Sequence, residues 1–238
     1  MGENGSGKTT LLKHLNGLLK PTTGRVYVDG VDTRDATIAE LAAKVGLVFQ
    51  NADEMFFEPK VEDEVAFALR NFGYPEEVIK KRVSWALEFL ELSAYRDTSP
   101  FMLSGGEKKR LALAVILAWN PEVIALDEPT IGQDSVQKEK LAHMLKLLNT
   151  QGRTVIMASH DVEFVADLNP RIILLREGRV VKDGAAEDIL TDVELLASCS
   201  ITPPQVVTTL NRLKDLGINP RRLSVEEAAY EIIKRITT

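Results

Sequence analysis

Gly2-Glu3-Asn4-Gly5-Ser6-Gly7-Lys8-Thr9-Thr10 opens the chain and fits the spacing G-x-x-x-x-G-K-[ST], a loop that folds its backbone around phosphate oxygens. Gly2, Gly5 and Gly7 free the backbone to turn successive N–H groups inward. Lys8 then reaches the β- and γ-phosphates, and the Thr9 hydroxyl is placed to ligate Mg²⁺. We take Gly2, Asn4, Gly5, Ser6, Gly7, Lys8, Thr9 and Thr10 as candidate ATP ligands. Leu11, Leu12, Leu15, Leu18 and Leu19 recur at helical spacing, which predicts a helix that starts inside the loop and points its N-terminus at the phosphates. Such a loop is normally fed by a buried strand. Only Met1 precedes Gly2 here, so either the start is misassigned or the chain lacks its N-terminal strands and is a fragment of something longer.

The rest of the composition is that of an ordinary globular protein. Of 238 residues, 45% are hydrophobic and 27% charged, in the range of soluble domains. A net charge of −6 with no long basic run argues against a nucleic-acid partner. One cysteine, Cys199, excludes an internal disulfide and fits a reducing compartment. The apolar run from Leu111 to Trp119 falls short of the roughly 20 residues that span a bilayer.

Beyond the loop, Lys20-Pro21-Thr22-Thr23-Gly24 predicts the end of the first helix. Arg25–Gly30 reads as a short strand entering a tight Asp-Gly turn. Val45–Phe49 is a buried strand ending at Gln50. Helical periodicity covers Val61 to Leu92 in two pieces, parted by Gly73-Tyr74-Pro75. Ser104 caps a helix whose first turn carries Gly105, Gly106 and Glu107, making a second anion-binding end. Val123–Leu126 is a buried strand that delivers Asp127-Glu128-Pro129-Thr130. Helical Ser135–Leu148 and a third buried strand, Thr154–Ala158, follow, and Ser159-His160-Asp161 comes next. Near-continuous apolar strands alternating with helices predict an α/β fold with a mostly parallel sheet covered on both faces. Ligands in such sheets gather at the carboxyl ends of strands, where Gln50, Asp127, Glu128 and His160 all fall. Arg171–Leu175 and Arg179–Lys182 read as a hairpin through Glu177-Gly178, Gly184–Leu190 as a short helix. After Pro203-Pro204, Val206–Leu216 and Val225–Ile236 read as two amphipathic helices.

Taken together, the phosphate loop, Leu103-Ser104-Gly105-Gly106-Glu107, Leu126-Asp127-Glu128-Pro129-Thr130, Gly132-Gln133-Asp134 and the later His160 make the sequence resemble the nucleotide-binding subunit of ABC transporters. The stretch Gln50–Phe67, the run from Leu103 to Ala114 and the helical appendage are similar to ATPases of energy-coupling factor (ECF) transporters, which include cobalt and nickel uptake ATPases. The resemblance implies a P-loop NTPase fold. It places an ATPase domain over 1–200, a helical subdomain at about 61–118 between Q-loop and signature, and a C-terminal helical appendage over 201–238. It also implies residues before the phosphate loop that supply sheet strands and an aromatic to stack on adenine.

The roles implied are as follows in chain order. Gln50 is the Q-loop glutamine, contacting Mg²⁺ and water; Ser104, Gly105 and Gly106 bind the nucleotide held by a second subunit. Asp127 holds Mg²⁺, Glu128 is the general base, Asp134 is the D-loop aspartate, and His160 holds the γ-phosphate and orients Glu128. Two ATPase subunits, identical or different, close head to tail on ATP while transmembrane subunits dock on the Val61–Leu92 segment, with Glu62-Asp63-Glu64 either facing a basic coupling helix or forming a solvated helix N-terminus. The subunit is peripheral, on the cytoplasmic side of the membrane, energising import of a metal cation or a vitamin. The alternatives are an ABC ATPase of another transport system and a truncated remnant without activity. A DNA-maintenance ATPase would need a long coiled coil between Gln50 and Leu103, and a ribosome-acting factor a second cassette.

Overall fold

The computed structural model describes residues 1–236, and the chain divides into two compact units, Thr9–Ala158 and Met1–Lys8 with Ser159–Thr238. In the first, α1 (Lys8–Leu15) leads to a two-stranded antiparallel hairpin of β1 (Tyr27–Val28) and β2 (Val31–Asp32). Its turn is Asp29-Gly30, both at positive φ (50° and 77°), as a two-residue hairpin loop requires. Then come α2 (Ile38–Lys44), β3 (Val45–Val48), α3 (Val61–Asn71), α4 (Glu76–Phe89), α5 (Gly105–Ala118), β4 (Val123–Asp127), α6 (Ser135–Thr150) and β5 (Thr154–Ala158).

The three buried strands expected from apolar runs form one parallel sheet in the order β3-β4-β5, with Val45 opposite Val123 and Asp127 opposite Ala158. Parallel neighbours need long crossovers; here α3, α4 and α5 join β3 to β4, and α6 joins β4 to β5. One sheet face carries Val45, Leu47 and Ala125 against Leu12 of α1, Leu41 of α2 and Val28 of the hairpin. On the other face α5 packs so closely that a β-carbon on Gly46 would lie 2.3 Å from Ile116 Cγ2. Both faces are covered at β3 and β4, as continuous apolar strands require; β5, expected to be buried, is half-buried along Val155–Met157 and exposed at Thr154, because it lies at the edge of this sheet.

Some expectations need correction. The first helix stops at Leu15, because left-handed Gly17 (φ 77°) turns the chain away before Pro21. Of its leucine stripe only Leu12 is buried; Leu11, Leu18 and Leu19 are exposed. The acidic cluster is spent within the fold. Glu64 is buried at 1% exposure, and its Oε2 accepts the N–H groups of Phe57 (2.9 Å) and Glu58 (2.8 Å). Glu62 pairs with Arg96 and Asp63 with Arg70. Burial pushes the Glu64 carboxyl up, while the two N–H bonds oppose that shift.

In the second unit, β6 (Arg171–Arg176) and β7 (Arg179–Ala185) pair antiparallel through Glu177-Gly178. Met1 donates its amino group to Ile173 O and accepts from Leu175 N–H, both at 2.8 Å, one rung of parallel pairing beside β6. Helices α7 (Val162–Leu168), α8 (Ala186–Leu190) and α9 (Val193–Ser198) follow the pattern of short elements with caps at Asp161 and Asp192 for α7 and α9. Glu163 of α7 accepts the Gln205 N–H at 2.8 Å, anchoring α10 (Gln205–Arg212), which ends earlier than its periodicity suggested. Leu210 and Ile218 pack with Ala228 of α11 (Val225–Ile236), joined by Val206, Leu213 and Ile232. Ile233 of the same helix is 60% exposed.

Candidate active site

The site begins with the last residue of the central strand. Asp127 ends β4 with 5% exposure, and its Oδ2 accepts the Thr9 hydroxyl at 2.7 Å. Its Oδ1 is buried and has no hydrogen-bond partner among the described residues, a costly state for a carboxylate oxygen unless something else satisfies it. Thr9, Gln50 and Asp127 line one open cavity of about 430 Å³ at the carboxyl ends of β3 and β4. The Thr9 hydroxyl gives its proton to Asp127 and keeps lone pairs for a cation. A carboxylate, a hydroxyl and an amide oxygen suit a hard cation such as Mg²⁺, which takes one or two protein carboxylates and fills its shell with water and phosphate oxygens. Among the described residues no group of three or more His, Cys, Asp or Glu side chains is arranged to hold a metal.

Glu128 follows at 5% exposure with φ +47°. A non-glycine residue in this left-handed region costs about 1–2 kcal/mol, and such outliers cluster at functional sites. The sheet anchors its amide: the Glu128 N–H donates to Ala158 O at 2.9 Å, continuing the β4–β5 ladder past Asp127. Gln50 lies two residues beyond β3, exposed. Asn51 then caps a short 3₁₀ turn, Ala52–Met55, by accepting the Asp53 N–H.

Ser104, Gly105 and Gly106, expected to bind the nucleotide of a second subunit, stand at the start of α5. Ser104 and Gly105 are exposed and Gly106 half-buried. Ser104 Oγ accepts the Glu107 N–H at 3.4 Å, while Glu107 Oε2 accepts both the Ser104 N–H and hydroxyl at 2.7 Å, a reciprocal capping box. Hydrogen bonds from the Tyr95 hydroxyl and from Ser104 hold the Glu107 carboxyl down at about 2. A depressed folded-state value contributes stability that is complete above the ordinary value near 4.5 and lost as pH falls through about 2. Glu107→Gln therefore flattens the acid limb of thermal melting between these two values; an unchanged limb would remove Glu107 from acid sensitivity. Asp134 is exposed and caps α6, its Oδ1 accepting the Gln137 N–H at 2.8 Å.

Gly2 to Lys8 lie in the other unit. A β-carbon on Gly2 would sit 2.4 Å from Leu175 O and 2.5 Å from Ser6 Oγ, so only glycine fits. Lys8 is buried and its Nζ donates to Gly2 O (2.9 Å) and Glu3 O (3.0 Å). Ser6 Oγ is buried with no partner among the described residues, a hydroxyl suited to an incoming phosphate oxygen. Asn4, Gly5 and Thr10 are exposed and Gly7 half-buried. His160 also belongs to this unit; it is exposed, between buried Ser159 and Asp161, whose N–H donates to Ser159 Oγ at 3.0 Å.

Sequence reading missed the two lysines after the signature. Lys108 pairs with Asp53 at 2.7 Å, tying α5 to the turn after Gln50. Lys109 Nζ donates to the carbonyls of Pro129, at 3.5 Å, and of Ile131. The signal was available: Lys109 leads Ala112, Leu113 and Ile116 at i, i+3, i+4 and i+7, the buried face of α5.

The description of the family model that matches residues 1–131 is ABC transporter. The chain is 41% identical over 236 residues to the energy-coupling factor transporter ATP-binding protein EcfA of Methanothermobacter thermautotrophicus, covering 98% of this chain and 76% of that protein. Among solved structures it resembles cbiO1 from Clostridium perfringens, described as part of the ABC transporter complex cbiONQ, with TM-score 0.73, 33% identity and coverage of 91% and 84%. It also resembles the ATP-binding cassette MJ0796, solved as a post-hydrolysis dimer bound to ADP and Pi, with TM-score 0.70, 35% identity and coverage of 78% and 83%.

Proposed function

This chain belongs to the ABC transporter family, and we propose that it is the ATP-binding and ATP-hydrolysing subunit that energises a membrane importer of the energy-coupling-factor type. The observation that carries the reading is the pairing of Thr9 with Asp127 beside Gln50 in one cavity, with strained, buried Glu128 next in the chain.

In this reading Gly2, Asn4, Gly5, Ser6, Gly7, Lys8, Thr9 and Thr10 bind the phosphates of ATP, Lys8 exchanging its loop carbonyls for phosphate oxygens. Thr9, Gln50 and Asp127 hold Mg²⁺, which when bound neutralises charge on the phosphates. Glu128 accepts the proton of the attacking water, Gln50 and His160 orient water and γ-phosphate, and burial keeps the base out of bulk solvent. Phosphoryl transfer needs little beyond such positioning and charge. Ser104, Gly105 and Gly106, with Asp134, serve the nucleotide of a second subunit, like or unlike this one; a helix N-terminus whose first residues are exposed supports that role.

Residues 61–118 act as the helical subdomain that meets the transmembrane subunits, and 201–238 as the appendage. Support for docking comes from Phe57 and Phe67, exposed aromatics with ring centroids 4.4 Å apart edge to face, beside the segment that follows Gln50. No helix of the described residues is long and apolar enough to cross a membrane, which fits a peripheral subunit on the cytoplasmic side. Its cargo is a metal cation or a vitamin. The test is phosphate release from MgATP as protein concentration is raised, since a site closed by two subunits turns over in proportion to dimer.

A further inference from the structure

Between Glu128 and the cap of α6, the chain has little of its own to hold it. Pro129 contributes no N–H. The backbone bonds within 128–133 are Ile131 N–H to Glu128 O at 3.4 Å and Gln133 N–H to Thr130 O at 3.1 Å. Gln133 Oε1 is buried with no partner among the described residues. Into this loop reaches Lys109 from the first turns of α5, donating to Pro129 O and Ile131 O. Its ammonium is half-buried, and burial pushes its pKa down; a lysine kept there at a desolvation cost is held by what it bonds. Lys109 and Gln133 line the same small cavity, with Gln50 and Pro129.

We infer that Lys109 is a positioning residue for hydrolysis: its ammonium braces the 128–133 loop through two carbonyls and so holds Glu128 in its left-handed conformation, aimed for proton transfer. The inference rests on Glu128 being the base. Displacing a reacting group by about 1 Å can cost on the order of 100-fold in rate, whereas the phosphate ligands proposed above, Gly2 to Thr10, lie outside this loop.

The experiment measures ATP turnover and thermal melting for wild type, Lys109→Met, Lys109→Arg, Glu128→Gln and Lys140→Met, the last removing an exposed lysine paired with Glu91. Lys109→Met should lower kcat by about 10–100-fold with the ATP KM unchanged and the melting curve preserved. Lys109→Arg should recover most of kcat, because a guanidinium can also donate to two carbonyls, and Lys140→Met should match wild type. Wild-type kcat in Lys109→Met, or a fall in kcat that merely follows loss of folded protein and is not rescued by arginine, overturns the brace. If Glu128→Gln is inactive while Lys109→Met is normal, only the brace fails; if Glu128→Gln stays active, the site reading beneath it fails.

Discussion

Glu128→Gln leaves ATP bound and lowers its hydrolysis by about 10²–10⁴-fold, the range of a lost general base. Glutamine has the shape of glutamate, so the buried volume, the left-handed backbone and the N–H bond to Ala158 O persist. What disappears is the capacity to take a proton from water. A core glutamate with only a packing role would give the opposite pattern, since an isosteric amide would stabilise or leave unchanged both fold and turnover. Phosphate release and equilibrium titration with a fluorescent ATP analogue separate the two. Turnover within about threefold of wild type, less than 1 kcal/mol of barrier, would sink the assignment.

Asp127→Asn should remove hydrolysis by about 100-fold or more, because cation-assisted charge stabilisation in phosphoryl transfer is worth several kcal/mol. Its effect has a second readout. The wild-type carboxylate has one oxygen bonded to Thr9 and one buried without a partner among the described residues, so the amide relieves a buried charge and the nucleotide-free protein melts no lower than wild type. Magnesium added to ATP should raise the wild-type melting temperature beyond ATP with EDTA, and this increment should vanish in Asp127→Asn. A variant that keeps the increment would place the cation on other ligands.

How much of this was legible beforehand depends on the length scale of each signal. Val45–Val48 and the apolar part of Val123–Asp127 were readable because strands covered on both faces run apolar, Thr154–Ala158 because it runs apolar from Val155 on although only Ala158 is buried, and their carboxyl ends then located Gln50, Asp127 and Glu128. Ser104 and Glu107 announced a capping box three residues apart, and Asp29-Gly30 a hairpin. The short helices α2, α7 and α9 carry too few turns for a periodic stripe, although Thr37 and Glu40 form a capping box that was there to be read. The leucines of the first helix misled because Gly17, not Pro21, sets the stop. The acidic cluster misled because sequence gives charge but not direction: Glu64 points inward to two backbone N–H groups. Lys109 stood on a face of α5 that its spacing made readable, but its partners, carbonyls 20 and 22 positions on, were not.

The most direct measurement is the rate of phosphate release from MgATP per subunit across protein concentration, with the chain alone and with its membrane subunits. The account predicts a specific rate that rises with concentration to a plateau, because Ser104, Gly105 and Gly106 of one subunit complete the site of another. A chain that releases no phosphate at any concentration, with or without membrane subunits, or one whose specific rate stays constant while it remains a monomer, would contradict it.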